Sequence, residues 1–215
     1  MTIPFTPYWH RRNLPHFEGG SIPQGVTFRL HDSLPQEKIA EMTGHILLPD
    51  KVAANRERIR IFNQLLDKGD GAVWLKNSAV AEIVQNSLLF FDGQRYSLHA
   101  WVIMPNHVHV LFTPMDDWTL TKIIHSWKSF SAREANKILG RVGEFWQREY
   151  FDRAIRNEQG FNSAVAYIEN NPVKAGLCQV AEEWLFGSAV CRIQASCTIR
   201  SLGILPEFQA DSSFE

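Results

Sequence analysis

Residues 104–112 read "MPNHVHVLF", and the assignment of this run decides the fold. Successive side chains of a strand point to opposite faces. As a strand, the run places His107 and His109 together on one face, with Val108, Val110 and Phe112 on the other. Two neutral imidazoles side by side are costly to bury unless their nitrogens are used, and a metal ion is the usual user. Plain packing is the competing reading of an HxH pair taken alone. Just upstream, "YSLHAWVIM" (96–104) reads as a second strand. Pro105 and Asn106 leave room only for a tight connection, so the two strands form an antiparallel hairpin at the centre of a sheet.

Working outward, "GVTFRLHDSLP" (25–35) reads as a first strand with Val26, Phe28 and Leu30 on one face. Residues 36–66 carry helical spacing, interrupted near Gly44 and Pro49-Asp50. "DKGDGAVWL" (67–75) is a glycine-containing loop without the spacing of a P-loop. Asn77-Ser78 starts a helix over 79–91 whose inner stripe is Val80, Ile83, Val84, Ser87 and Leu88. After the hairpin, a long amphipathic helix spans 118–139, with Leu120, Ile123, Trp127, Phe130 and Ala135/Ile138 inward. "REYFDRAI" (148–155) is a fourth strand, and a last helix covers 157–171, ended by Pro172. The order strand, helix, strand, strand, helix, strand is the split βαβ arrangement. The expected fold is therefore α+β. It is a ferredoxin-like antiparallel sheet with helices on one face and an extra C-terminal helix.

The chain has 215 residues, 45% hydrophobic and 21% charged, with a net charge of −1. That suits one domain, expected over 24–177. An irregular basic and aromatic arm would precede it (1–23), and a partly flexible extension would follow (178–215). Three cysteines clustered late form no disulfide framework, which points to a reducing compartment. The N-terminus has no apolar core of a signal peptide, and no run is long enough to span a membrane. The expected location is the cytoplasm. Charge is uneven: Lys122 to Arg156 holds eight Lys/Arg and four Asp/Glu. Such a segment is either a solvated helix face or a surface that meets phosphates.

A two-histidine site needs further ligands. In "AVAYIENNPVKAGL" (164–177), Tyr167 and Asn171 stand four apart on one helical stripe. They sit at the edge of the apolar face made by Phe161, Val165 and Ile168, half buried and half presented to a cleft. By spacing alone they also read as a boundary tyrosine and a helix-ending asparagine.

The blocks "RRNLPHFEGG", "VTFRLHDSLP", "GQRYSLHAWVIMPNHVHVLF", "SWKSFSAREAN", "EFWQREYFDRAIR", "YIENNPVKAGL" and "EEWLFGSA", in this order, cover most of the chain. Together they resemble the IS200-like, single-tyrosine (Y1) transposases of the HUH superfamily, and most of all the REP-associated tyrosine transposases. The resemblance implies a ferredoxin-like fold, a divalent metal (Mg²⁺ or Mn²⁺) held by the histidine pair, and a tyrosine nucleophile on a C-terminal helix. Matched residue by residue, His107 and His109 are the metal histidines, with Val108 between them. Tyr167 is the nucleophile, and Asn171 takes the place of the glutamine that completes the metal site in mobile-element members. Asparagine is one methylene shorter and still offers a carboxamide oxygen, and the REP-associated branch tends to carry it.

The chemistry so implied is transesterification of single-stranded or hairpin-forming DNA through a 5′-phosphotyrosine link. Bases stack on rings while cations track phosphates, which nominates Lys128, Trp146, Arg148, Arg153 and Arg156. Trp127, on the inner stripe, reads as core. Arg11 and Arg12 could reach a hairpin stem. Tyr150 is a rival nucleophile, although it lies in a strand-like stretch without an amide four residues on. Two other readings compete. One is a domesticated, non-catalytic repeat-DNA-binding protein; the other is a metal-dependent hydrolase with water as nucleophile. No HExxH or carboxylate partner supports the hydrolase. The spacing favours neither a monomer nor a homodimer.

Overall fold

The computed structural model describes residues 8–11, 15–18, 20–34, 51–69, 71–115 and 117–193. Arg12, the helical spacing of 36–50 and the tail after 193 lie outside the described residues. Four strands, β3 (Gln24–Arg29), β4 (Tyr96–Ile103), β5 (His107–Pro114) and β6 (Phe151–Ala154), form one antiparallel sheet in the order β4-β5-β3-β6. That order is the ferredoxin-like one expected from the sequence. The hairpin β4–β5 pairs Ile103 with Val108 and Trp101 with Val110, and β3 sits on its other side with Thr27 opposite His109.

Two helices cover one face: α2 (Ser78–Leu89) and α3 (Leu120–Ile138). Each starts where a side chain satisfies the free N–H groups of its first turn. The Asn77 carboxamide oxygen accepts from the Ala79 and Val80 amides, and the Thr119 hydroxyl accepts from Lys122 N. The core between these helices and the sheet includes Val26, Phe28, Val108, Val110, Phe112, Val84, Leu88, Trp127 and Trp146. The inner stripes run slightly differently from the spacing argument. Ala81 rather than Ile83 is buried on α2, and Ile124 and Ser131 are buried on α3 while Ile138 is exposed. The inward arc of a helix is wider than its strict 3–4 pattern.

The opposite face carries α4 (Glu158–Glu169), capped by Asn157, whose side chain accepts from Gly160 N. It packs Ile168, Phe161, Ala164 and Val165 on Ala100, Val102, Met104 and Leu111. Pro172 does not end this helix. The chain breaks at Asn170, and a new turn, α5 (Asn171–Lys174), begins with Pro172 in its first turn. There a missing N–H costs nothing. A further helix, α1 (Lys51–Lys68), lies before α2 in sequence and packs Phe62, Leu65 and Leu66 against Leu34 and Phe151.

Two flanking segments differ from expectation. Residues 8–18 are not an irregular arm. β1 (Tyr8–Arg11) and β2 (Pro15–Glu18) form an antiparallel hairpin. It is tied down by Glu18, whose carboxylate accepts from Leu120 N (2.8 Å) and Thr121 N (3.1 Å). A carboxylate at the positive end of α3 is favourable on both hydrogen-bond and dipole grounds. Buried His16 also reaches Asp152, just inside β6. Residues beyond 177 are part of the domain up to α6 (Ser188–Ile193). Ile103 N donates to Phe186 O at 2.8 Å, and Trp101 N to the Ser188 hydroxyl at 3.2 Å. This stretch covers the free edge of β4, which would otherwise present unpaired backbone groups.

Candidate active site

Alternation along β5 puts His107 and His109 on the α4 face, where both are buried. Their Nε2 atoms face each other at 3.0 Å. Each Nδ1 is engaged from behind. His107 Nδ1 pairs with the Asn106 carboxamide oxygen at 2.7 Å, and Asn106 Nδ2 in turn donates to the Leu66 carbonyl at 2.8 Å. That fixes the proton of His107 on Nδ1 and leaves Nε2 with a lone pair. His109 Nδ1 pairs with the Thr27 hydroxyl at 2.7 Å. Burial pulls His109 down to about 3, and burial together with His109 pulls His107 well below the usual imidazole range. Both rings are therefore neutral, the form that ligates metals.

Tyr167 comes to the same place from α4. Its ring meets His109 edge-on at 5.5 Å. Its hydroxyl accepts from Asn63 Nδ2 at 3.0 Å and has the Asn171 carboxamide beside it. Burial raises the phenol, the Asp67 carboxyl adds to the rise, and the two amides oppose it. Lys174 Nζ lies 4.8 Å from the ring centroid. Asn171 is 2% exposed, yet its Oδ1 has no hydrogen-bond partner. A buried, unsatisfied acceptor is expensive. Asp67 adds a second such oxygen, 3.8 Å from His107 Nε2, and burial pushes its carboxyl up to about 6.

Two facing imidazole nitrogens beside unsatisfied oxygens form an arrangement that a divalent cation would relieve, so the donor set fits the expected metal. It is a mixed N/O set. Among the described residues, no group of three His, Cys, Asp or Glu forms a metal cage.

The other sequence candidates fall into different places. Arg148, Arg153 and Arg156 are exposed. The pairing of Arg153 with Gly25 puts it on the histidine face at the β6 side of the sheet. Trp146 corrects its assignment as a base-stacking residue: it is 6% exposed, packs on Phe28 and Phe145, and donates from Nε1 to Ser131. Lys128 is spent internally. It donates to the Gln147 and Arg148 carbonyls at 2.7 and 2.8 Å, and burial lowers it to about 8. Arg11 ends β1. Tyr150 is buried in the other layer, stacked on His16 at 4.1 Å. Spacing arguments passed over Thr27, Asn63, Asp67 and Asn106. The available signals were the i, i+4 pair Asn63/Asp67 on one helical stripe and the polar residue directly before the HxH pair.

A family model described as "Transposase IS200 like" matches residues 75–171. This stretch holds both histidines, Tyr167 and Asn171. The REP-associated tyrosine transposase of Escherichia coli (strain K12) is 28% identical over 95 residues, 43% of this chain and 54% of that one. A putative REP-associated tyrosine transposase of Haemophilus influenzae is 29% identical over 96 residues, covering 40% and 54%. The chain thus spans about half the length of these two curated relatives. A solved REP-associated tyrosine transposase bound to a REP hairpin superposes with a TM-score of 0.54 at 18% identity, covering 94% of each chain, a likeness of fold. No helix among the described residues is long and apolar enough to cross a membrane. Residues 75–171, which carry both histidines, Tyr167 and Asn171, are thus similar to IS200-like transposases, and REP-associated tyrosine transposases are among the proteins this chain resembles.

Proposed function

We propose that the protein is a metal-dependent endonuclease and strand transferase. Its substrate is single-stranded DNA, presented by hairpin-forming repeats like the one bound to the solved relative. The observation that carries this reading is the convergence of four side chains. His107 and His109 face each other through Nε2, the buried Asn171 oxygen lacks a partner, and Tyr167 stands against His109.

Tyr167 attacks a backbone phosphorus, and the P–O3′ bond breaks. The phenol loses its proton, the departing 3′ oxygen gains one, and a 5′-phosphotyrosine link remains. Rejoining runs the same step backwards, so the phosphodiester energy is kept and no ATP is consumed. Free tyrosine has a pKa near 10 and is a weak nucleophile at neutral pH. Burial makes this phenol weaker still, so the site must act on the substrate side. His107, His109 and Asn171 would hold Mg²⁺ or Mn²⁺, which supplies Lewis-acid polarisation of the phosphate and stabilises its developing charge. Thr27 and Asn106 orient the imidazoles from behind, as metal-binding histidines require. Exposed Arg148, Arg153 and Arg156 would follow the phosphates of the strand. On this reading the protein works in the cytoplasm and would associate with the nucleoid when bound to DNA.

The test is incubation with Mn²⁺ or Mg²⁺ and labelled hairpin oligonucleotides from the host's intergenic repeats. A slow, protease-sensitive band on a denaturing gel, absent in Tyr167→Phe, is expected. Cleavage without an adduct would point to the hydrolase reading. Binding without cleavage under either ion would leave a repeat-DNA-binding protein.

A further inference from the structure

Tyr167 is held from outside the family-matched stretch. Asn63, on α1, donates to the phenolic oxygen at 3.0 Å. Three residues on, the Leu66 carbonyl accepts from Asn106, the residue that fixes the proton of His107. One helix therefore reaches both halves of the site, and it lies before the matched residues 75–171. α1 is seated firmly in this region. Leu65 and Leu66 are buried with Leu34, and the Phe62 ring packs on Phe151 at 4.6 Å. Phe151 is close to the histidines as well, since its strand partner Thr27 hydrogen-bonds His109. Asn63 is therefore carried on a packed helix, which fixes its amide to within the tolerance that chemistry demands.

We propose that Asn63 is a positioning residue for the strand-transfer reaction, aiming the Tyr167 oxygen at the phosphorus and donating its N–H to that oxygen whenever negative charge gathers there. This rests on the reading of Tyr167 as nucleophile. A carboxamide N–H gives a hydrogen bond and takes no proton, so it suits an oxygen that must bear charge in both directions. In cleavage the phenolic oxygen attacks with one lone pair while another stays on the Asn63 donor. In rejoining, the free 3′-OH attacks the phosphorus, the P–O bond to Tyr167 breaks, and the charge returns to the phenolic oxygen, where the donor already waits. Preorganised donors of this kind are worth about 10²–10³ in rate at well-formed oxyanion sites.

The experiment uses the full chain, Mn²⁺ and a labelled hairpin oligonucleotide at saturation. The rate of adduct formation is measured, and then the rate at which isolated adduct rejoins an added 3′-OH strand. Asn63→Asp keeps the shape and turns an acceptor toward the phenol, Asn63→Leu keeps bulk without polarity, and Asn63→Gln keeps the donor on a longer arm. DNA affinity, Mn²⁺ affinity by calorimetry and the melting temperature are measured for each. Both rates are expected to fall about 10–100-fold for the Asp and Leu variants. DNA and Mn²⁺ affinity should stay unchanged, and Gln should recover part of the loss. Wild-type rates in the Asp and Leu variants would overturn the proposal. So would losses that merely track DNA affinity, Mn²⁺ affinity or melting temperature, or a Gln variant no better than Leu. A wild-type protein that forms no adduct would overturn the nucleophile reading and this inference together, whereas unaffected Asn63 variants beside an active wild type overturn this inference alone.

Discussion

The two faces of the sheet are built from the same strands and do opposite work. Toward α2 and α3, β3 and β5 contribute Val26, Phe28, Val108, Val110 and Phe112, and the layer is closed by Trp127, Trp146 and Leu88. Tyr96 is satisfied there, donating to the Leu88 carbonyl at 2.7 Å and accepting from Trp127 Nε1 at 2.9 Å, while the buried Gln24 side-chain amide on the same face has no hydrogen bond among the described residues. Toward α4, the same two strands contribute Thr27, His107 and His109, with a smaller apolar set around Leu111 and Ile168. This face leaves Asn171 Oδ1 and Asp67 Oδ1 without hydrogen bonds. A strand can serve both because its side chains alternate. The lesson is that a tightly packed apolar layer can carry stability while the opposite layer keeps unsatisfied oxygens beside two facing imidazoles, the arrangement the proposed chemistry calls for.

That division can be broken experimentally, starting with the largest effect. His107→Ala should abolish Mn²⁺ binding and reduce the DNA adduct below detection, while circular dichroism still shows a folded chain. Loss of fold instead would mean that the histidines belong to the structural layer. Trp127→Ala on the other face should cost about 3–5 kcal/mol in a urea titration, with Mn²⁺ affinity of the folded fraction unchanged. A matching loss of affinity would show that the layers are not separable. Asn106→Ala should weaken Mn²⁺ about 10–100-fold by calorimetry, since it frees the orientation of His107. An unaltered isotherm would remove Asn106 from the site.

The smallest effect is on pH dependence in the metal-free protein. His107 and His109 are depressed in the fold, His109 to about 3, against about 6.5 when unfolded. Their stability is present above pH 6.5 and is lost as pH falls. Asp67, raised to about 6, works the other way: its contribution is full at low pH and is lost as pH rises through about 6. Between pH 6 and 4 the unfolded chain takes up protons on two histidines and the folded one on a single carboxyl. Stability from this cluster therefore falls as the solution is made acid over this range. Urea midpoints measured across this range should flatten in His109→Gln.

Much of this was legible in the sequence. The hairpin, the strand order, the cap at Asn77 and the histidine face all follow from alternation, short connections and capping chemistry. These are properties of neighbours in the chain. The Tyr167/Asn171 pair needed only a helical repeat, which survives the break at Asn170 because Asn171 continues within one turn. Other features were not legible. Trp146 looks like a surface aromatic among arginines, yet its indole donates to Ser131 on α3. The sequence favours Tyr167 over Tyr150 by its helical setting and the amide four residues on, but that the two lie in different layers is seen only in the fold. The N-terminal hairpin carries too few residues to announce itself, and it is docked by Glu18 at a helix more than a hundred residues away.

The sequence by itself therefore determined which groups could do chemistry here and which strand would present them, because side-chain type and local periodicity are written in adjacent residues. Only the tertiary structure decided which of those groups meet. Asn63 and Tyr167 stand 104 positions apart, and Asn106 and Leu66 stand 40 apart. Contacts of that span depend on how packed layers close over each other, and no local pattern encodes that closure.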